Sequence, residues 1–435
     1  MSASKISNGD SKLATAKRTD IFAGLPVELR IPMMTSLSPD ELSALRLSSR
    51  VMNDTFRDNV GAVCHGIMTN TVGVFLPMAL MAIEAEKVFG ALTSDPPYIL
   101  TVGVKQYTTA VAKFAHKHLS DTNKLSLTFR DATPELMVKT IALHQAVQSM
   151  ANELAETFGS LGPGDRTATE WHRLQKCVYL WEAARTVIGY NNVEEDAIRA
   201  FWDPVAPWEA GGMWSMDQAL LFMADDIKTR FEDECSSLPN RKELSLELAS
   251  HYDQQWASMT IMANILGIRG MDEVLHCNPD LRGEAYCKFV LKKLEWDHPV
   301  DFCLSLGDQL TESGYSFIPS DGSNPELRQI LDVAKRFPGR EHDGPRDLLL
   351  WQAIYHRLPL NSPLTHLKPD WRQVMGELES LPGPCMEHWG FQDRRFLEAE
   401  CVFLPMEELI AEAEHLLHIE SLEAELSNGH ILHEL

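Results

Sequence analysis

Apolar residues recur three and four positions apart along most of this chain, which is the spacing of helices that bury one face. In segment 168–190, Leu174 and Trp181 share an apolar stripe, while Glu182 and Arg185 lie off it. The same period occurs in segments 67–93, 104–119, 134–158, 214–235, 242–268, 272–295, 324–336, 346–357 and 394–426. The pattern predicts a mainly α-helical protein with a large, irregular helical body.

Residues at the ends of these segments agree with helix starts and stops. Thr133-Pro134-Glu135 is typical of an N-cap followed by proline in the first turn, and Asn428-Gly429 predicts the end of the last helix. Strand signals are scarce. Residues 98–104 are β-prone and residues 125–129 alternate in polarity, but two such runs do not predict a sheet.

Residues 25–56 carry the most specific pattern, a short helical hairpin with defined caps. Pro26 stands at a helix start, where its missing N–H costs nothing. Ser38-Pro39-Asp40-Glu41 is a second start, with acids in the first turn where the helix dipole favours them. Pro32 falls inside the first helix, where it removes a backbone donor and is expected to kink or shorten the helix.

The order of these residues resembles the F-box, a helical motif of about a tenth of this chain's length that docks cullin-type ubiquitin ligases. The matching positions are Leu25, Pro26, Glu28 and Leu29 in the opening, Met33, Met34 and Leu37 in the middle, Ser38, Pro39, Asp40 and Leu42 in the turn, Leu45, Arg46, Leu47, Ser49 and Arg50 in the close, and Phe56 after it. The resemblance is to F-box proteins of filamentous-fungal type, in which a helical region without standard repeats follows the motif.

The resemblance implies a substrate receptor without catalytic chemistry of its own. An F-box lays apolar side chains into a groove of a small Skp-type adaptor, and the adaptor connects it to a cullin. The implied adaptor-contact or hairpin-core positions are Leu25, Pro26, Leu29, Met33, Leu37, Leu42 and Leu45. The sequence does not divide these residues between the two roles, and a hairpin that packs only on its own body remains the alternative.

The domain organisation follows from these patterns. Residues 1–20 are polar and are expected to form a disordered arm, and residues 21–60 contain the F-box-like motif. Residues 61–405 are expected to form the helical, substrate-recruiting domain. Residues 406–435 are expected to form an amphipathic helix and tail, with seven Glu and no Lys or Arg between Glu407 and Glu425.

The net charge of the chain limits the classes of molecule that it is expected to bind. The chain has 62 Asp and Glu against 39 Lys and Arg, a net charge of −23, which argues against general binding to nucleic acid or anionic lipid. Residues 21–60 are near balance, so the excess lies in the body and tail and favours a target protein with a basic surface. The target itself is not identified.

The spacing of the cysteines and the lengths of the apolar runs indicate the cellular compartment of the protein. Eight scattered cysteines without CxxC pairs are expected to be reduced thiols in the cytoplasm or nucleus. The first 20 residues lack the apolar region of a secretory signal. The longest apolar run, Val72–Ile83, falls short of the ~20 residues that span a bilayer and is interpreted as a buried helix.

Several residue clusters have the composition of chemical sites but lack the spacing of one. Asp225-Asp226 with Glu232-Asp233-Glu234 lacks a metal-box spacing, and Glu414, His415 and His418 form a weak zinc pattern, so no metal or cofactor is predicted. The Trp residues at 202, 208, 214, 371 and 389 lie in or beside loops, where they either line a recognition surface or plug the core.

Two other functions stay open at this point. An F-box-like scaffold or regulator could act outside the ligase, and a helical enzyme could assemble its site from distant residues.

Overall fold

The computed structural model describes residues 20–90, 103–120, 131–158, 168–189, 193–205, 255–276 and 406–431, with single helical positions between 209 and 223 and at 331 and 335. These residues are helical or lie in turns and short connections beside the helices, and none of them lies in a strand. The predicted mainly α class is therefore confirmed for the described residues. Residues 98–102 of the β-prone run, the alternating run at 125–129, the acidic cluster at 225–234 and the loops with Trp208, Trp214, Trp371 and Trp389 lie outside them.

The helices are labelled in chain order. They are α1 (Val27–Thr35), α2 (Pro39–Ser48), α3 (Arg50–Asp58), α4 (Val60–Val72), a 3₁₀ turn (Gly73–Phe75), α5 (Leu76–Phe89), α6 (Val104–His118), α7 (Pro134–Phe158), α8 (Ala168–Ile188), α9 (Glu195–Trp202), α10 (Gln255–His276) and α11 (Met406–Ile431).

Several predicted boundaries agree with the structure. The segment predicted at 134–158 is α7, and Thr133 caps it by accepting a hydrogen bond from the Leu136 backbone N–H at 3.1 Å. The segments predicted at 104–119 and 168–190 match α6 and α8 within two residues. Caps and periodicity located these helices because both signals are local.

Other predictions were wrong or incomplete. Helix α11 continues to Ile431, past the predicted stop at Asn428-Gly429. Helix α9 was not predicted. The break predicted between segments 242–268 and 272–295 has a counterpart within α10, where Gly267 leaves the helical region. The N-terminal hairpin contains one more helix than predicted, because a break at Ser49 separates α2 from α3.

The chain forms two compact units. The first comprises residues 1–73 and 127–139, and the second comprises residues 74–126 and 140–435. In the first unit, α2 packs on α3, and α1 packs on both α3 and α4. The segment predicted as a motif at 21–60 is therefore part of a larger unit that also contains α4.

Helix α8 is the central element of the second unit. It packs against α5, α9 and α10, and α6 packs against α5 and α9. The sequence placed Glu182 and Arg185 off the apolar stripe, yet both are only 7% exposed, and Arg173 is 2% exposed. The prediction of a single buried stripe was wrong here, because neighbouring helices cover α8 on its polar side as well.

A buried ion pair accounts for these charges. The Arg185 guanidinium donates two hydrogen bonds to the Glu182 carboxylate, at 2.6 Å and 3.1 Å. Glu182 also accepts the backbone N–H of Ile268 at 3.0 Å. Since burial of a charge is costly unless it is paired and hydrogen-bonded, the arrangement stabilises both groups and fixes α10 on α8.

The same contact interrupts α10. Gly267 adopts φ 63° and ψ 178°, outside the helical region, and a Cβ at this position would stand 2.6 Å from Nη2 of Arg185. Glycine is therefore required for two reasons, the positive φ and the close approach of the guanidinium. The carboxylate of Glu182 faces the first backbone donor after this break, where a helix N-terminus favours negative charge.

The apolar segment Val60–Phe89 is longer than the predicted run at Val72–Ile83. By length and composition it could cross a membrane, with a mean hydropathy of 1.7 over its most apolar window, but 56% of that window is buried. Gly73 divides it, with φ 60° and ψ −131°. At 1.5 Å per residue, α4 and α5 each span only about 20 Å, short of a ~30 Å hydrocarbon core. These features favour two core helices.

We expect Glu182→Ala to destabilise the second unit by about 3–5 kcal/mol, because it leaves Arg185 and the Ile268 N–H buried without this carboxylate. Glu195→Ala is the control, since it breaks an exposed pair with Arg199 four residues on and is expected to cost about 0.5 kcal/mol or less. Hydrogen exchange of peptides from Gln255–His276 measures the loss of stability in each of the two variants. Equal effects of the two substitutions would contradict the assigned role of the buried pair.

Candidate functional site

The structure divides the seven predicted F-box positions into three classes of exposure. Leu42 is in the core at 2% exposed, Leu25, Leu37 and Leu45 are half-buried, and Pro26, Leu29 and Met33 are exposed. A core side chain is not available to a partner, so Leu42 belongs to the hairpin core. The three exposed residues are the positions at which a partner can bind without rearrangement of the unit.

The exposed residues share one face of α1. Leu29 and Met33 are four residues apart, which places them in one row along the helix, and Pro26 is the N-cap directly before α1. Leu29 is 55% exposed and Met33 is 39% exposed. We call Pro26, Leu29 and Met33 the α1 patch.

Buried contacts on the other side of α1 hold this patch outward. Met34 follows Met33 directly but is 0% exposed. Arg30 donates a hydrogen bond from Nη1 to the Thr55 hydroxyl at 3.1 Å, which joins α1 to α3. A Cβ at Gly66 would stand 2.4 Å from Cγ2 of Thr35, so α1 and α4 approach each other as closely as glycine permits.

Pro32 lies within α1 but does not end it. The expectation was that Pro32 would kink or shorten the helix, and α1 continues for three residues beyond it, to Thr35. Proline has no N–H to donate to the Glu28 carbonyl. Pro32 is exposed beside the α1 patch, so solvent can reach this part of the backbone. The Thr35 hydroxyl donates a hydrogen bond to the Pro32 carbonyl at 2.9 Å.

The predicted cap at Ser38 is present, and the structure shows it to be a capping box. The Ser38 hydroxyl accepts the Glu41 backbone N–H at 3.3 Å, and the Glu41 carboxylate accepts the Ser38 backbone N–H at 2.9 Å. This reciprocal pair satisfies two donors at the start of α2. The hydrogen bonds from the Ser38 backbone N–H and hydroxyl lower the pKa of Glu41.

A second cap was missed by the sequence analysis. Ser49 accepts the Met52 backbone N–H at 3.1 Å and so begins α3. Asp20 in turn accepts the Ser49 hydroxyl at 2.7 Å and the Val51 backbone N–H at 3.2 Å. The Ser49 hydrogen bond, followed by that from Phe22, lowers the pKa of Asp20. Asp20 was predicted to belong to the disordered arm, since nothing local shows a contact 29 residues away.

Four further large apolar residues are exposed in the first unit, and among them are Val27 at 42% and Val138 at 52%. Leu47 on α2 is 90% exposed and Ile21 is 83% exposed. Leu47 matched the closing Leu-x-Leu of the F-box pattern but was not among the predicted contact residues. Its exposure makes it a candidate contact position that the motif match could have supplied.

Arg46 and Cys64 complete the core beneath α2 and α3. The Arg46 guanidinium lies 3.9 Å from the centre of the Phe56 ring, within cation–π distance. Cys64 on α4 is a free thiol, and burial raises its pKa to about 11. A thiol with a raised pKa is a poor nucleophile, so Cys64 is a packing residue.

The second unit contains a cluster of groups that could suit an enzyme. His144 and Tyr179 are joined by a hydrogen bond of 2.7 Å between Nδ1 and the hydroxyl, and Phe75 stacks on His172 beside them. Burial lowers the pKa of His144 and raises the pKa of Tyr179. However, Tyr179 is 0% exposed and His144 is 3% exposed. A substrate does not reach groups closed off in this way, so the cluster is assigned to packing.

The described residues contain no group of three or more His, Cys, Asp or Glu side chains arranged to hold a metal ion. Glu414, from the weak zinc pattern, forms an ion pair with Lys335. Trp202 is fully buried, so this tryptophan packs in the core. No family model matches the chain, and no curated protein or solved structure matches it either. The resemblance to the F-box therefore rests on the residues themselves.

We expect Leu42→Ala to destabilise the first unit by about 2–5 kcal/mol, the usual cost of a cavity in a packed core. Leu29→Ala is the matched control, because it removes the same atoms from an exposed site and is expected to change stability by about 0.5 kcal/mol or less. Hydrogen exchange of peptides from Arg50–Asp58 reports the stability of the first unit in each of the two variants. A cost at Leu29 equal to that at Leu42 would contradict the division between core and surface.

The lowered pKa of His144 predicts a pH dependence of stability. The unfolded chain binds a proton near the ordinary value of 6.5, before the folded chain does, so stability falls as the pH drops below that value. Urea unfolding followed by circular dichroism at pH 8 and pH 6 measures the loss, and His144→Asn should make it smaller. Glu84 does not interfere, because His118 and Lys117 hold its pKa at about 2. An unchanged loss in the variant would contradict this account.

Proposed function

We propose that the chain is an F-box-type substrate receptor of a cullin–RING (SCF-type) ubiquitin ligase. In this proposal the first unit binds a Skp-type adaptor, the adaptor holds the cullin, and the helical body recruits a target protein. The observation that carries the proposal is the α1 patch, in which three of the residues matched to the adaptor-contact pattern are exposed together.

The exposure of the α1 patch suits a helix-in-groove interaction. Leu29 and Met33 offer apolar side chains in one row, with Pro26 at the start of the helix, as suits this mode of binding. The residues behind them are fixed by Met34 and by the close contact at Gly66. A preformed helix loses little conformational freedom on binding, so more of the burial energy appears as affinity.

The proposed receptor acts by proximity. Holding a target beside the charged conjugating enzyme raises the effective concentration of its lysine side chains, without chemistry by the receptor. The net charge of −23 favours a target with a basic surface. Such a receptor acts in the cytoplasm or the nucleus and does not bind nucleic acid or membranes.

We expect the double substitution Leu29→Ala and Met33→Ala to abolish co-purification of the Skp-type adaptor while the unit stays folded, because it removes only exposed apolar side chains. Leu422→Ala is the matched control, since Leu422 is 45% exposed on α11 in the other unit. Size-exclusion chromatography with the adaptor should give a shared peak for wild type and control alone. A shared peak with the double variant would contradict the assignment of the α1 patch.

The ligase role is tested in cells by affinity purification of the chain with and without proteasome inhibition. Adaptor and cullin should be recovered under both conditions, and the target only when degradation is blocked. Recovery of the adaptor without the cullin would favour the alternative, a scaffold outside the ligase. Recovery of neither would contradict the proposed function.

A further inference from the structure

The methionines of this protein differ sharply in access to solvent. Met33 is 39% exposed, whereas every other methionine whose side chain the structure describes is buried. The next most accessible are Met78 and Met223, at 6% each. Met34, the adjacent residue in the chain, is 0% exposed and so provides an internal reference for chemical access.

Exposure decides which thioether a dissolved oxidant can reach. Hydrogen peroxide attacks the sulfur, its O–O bond breaks, one oxygen forms the S–O bond of the sulfoxide, and the other leaves as water. Sulfur is oxidised and the peroxide is reduced, with no other reactant required. The product is polar where the thioether was apolar, and cellular reductases return it to methionine.

We propose that Met33 is a reversible oxidation site, and that its conversion to the sulfoxide weakens docking on the α1 patch. The second part rests on the proposed function, because it assigns this patch to the adaptor. Met33 lies in one row with Leu29 and is one of the three residues of the α1 patch, so the new S–O group belongs to the apolar contact area. A polar group buried there without a hydrogen-bond partner opposes binding.

The site assignment is tested without any partner. The full chain is treated with hydrogen peroxide, and peptide mass spectrometry follows sulfoxide formation, with fragment ions separating Met33 from Met34. Met33 should oxidise about tenfold faster or more than Met34. Equal rates at the two residues would overturn the assignment.

The effect on docking is tested with the adaptor at matched degrees of oxidation. Oxidised wild type should bind the Skp-type adaptor roughly tenfold more weakly than reduced wild type. Met33→Leu removes the sulfur and keeps a similar apolar volume, so its binding should not respond to peroxide. Treatment with methionine sulfoxide reductase should restore the wild type.

The outcomes separate this inference from the function on which it rests. If reduced wild type binds and oxidised wild type binds equally well, the switch is overturned and the receptor proposal stands. If peroxide weakens wild type and Met33→Leu alike, the loss arises at another residue and the switch is again overturned. If reduced wild type does not bind the adaptor, both the docking effect and the proposed function are overturned.

Discussion

The close approach of α1 and α4 at Gly66 determines what the first unit can present to solvent. Thr35 lies so near that a Cβ at Gly66 would stand 2.4 Å from its Cγ2. Asn70 on α4 also donates a hydrogen bond to the Thr35 carbonyl at 2.9 Å. With the end of α1 fixed on α4, successive residues of α1 have opposite environments. Met34 enters the core, and Met33, one residue earlier, lies on the solvent side.

The second unit depends on a different kind of constraint, the satisfaction of buried charge. Glu182 serves both Arg185 and the Ile268 backbone, and the break at Gly267 supplies the free N–H and the space for the guanidinium. Each part of this arrangement requires the others, because a charge left alone in the interior costs more than the pair contributes. The network therefore joins α10 to α8 through two contacts, the Ile268 N–H on Glu182 and the close approach of Arg185 to Gly267.

The sequence was sufficient for features that depend on neighbouring residues. Pro26, Ser38 and Thr133 begin helices as predicted, because caps and first-turn prolines act within one turn of the chain. It was insufficient where distant residues decide the outcome. Asp20 caps a helix that begins 30 positions later, the charges on α8 are covered by other helices, and Gly267 is defined by Arg185 rather than by its neighbours.

The same distinction applies to the candidate site. The order of apolar residues identified seven positions, but apolar residues at helical spacing occur both in cores and at contact surfaces. Only tertiary packing separates Leu42, which is covered, from Leu29, which is not.

Exposed apolar side chains on α1 forgo the stabilisation that burial would give. The same unit buries Met34, Met52 and Phe56 almost completely. The first unit buries these core residues and leaves Leu29 and Met33 exposed, which is compatible with the proposed docking surface. This condition also separates the two halves of the proposed receptor. Under the proposed function, the near-neutral motif binds through apolar area, whereas the acidic body favours its partner through charge. Salt should therefore weaken target recruitment more than adaptor docking, because screening acts on exposed charges and leaves apolar burial almost unaffected.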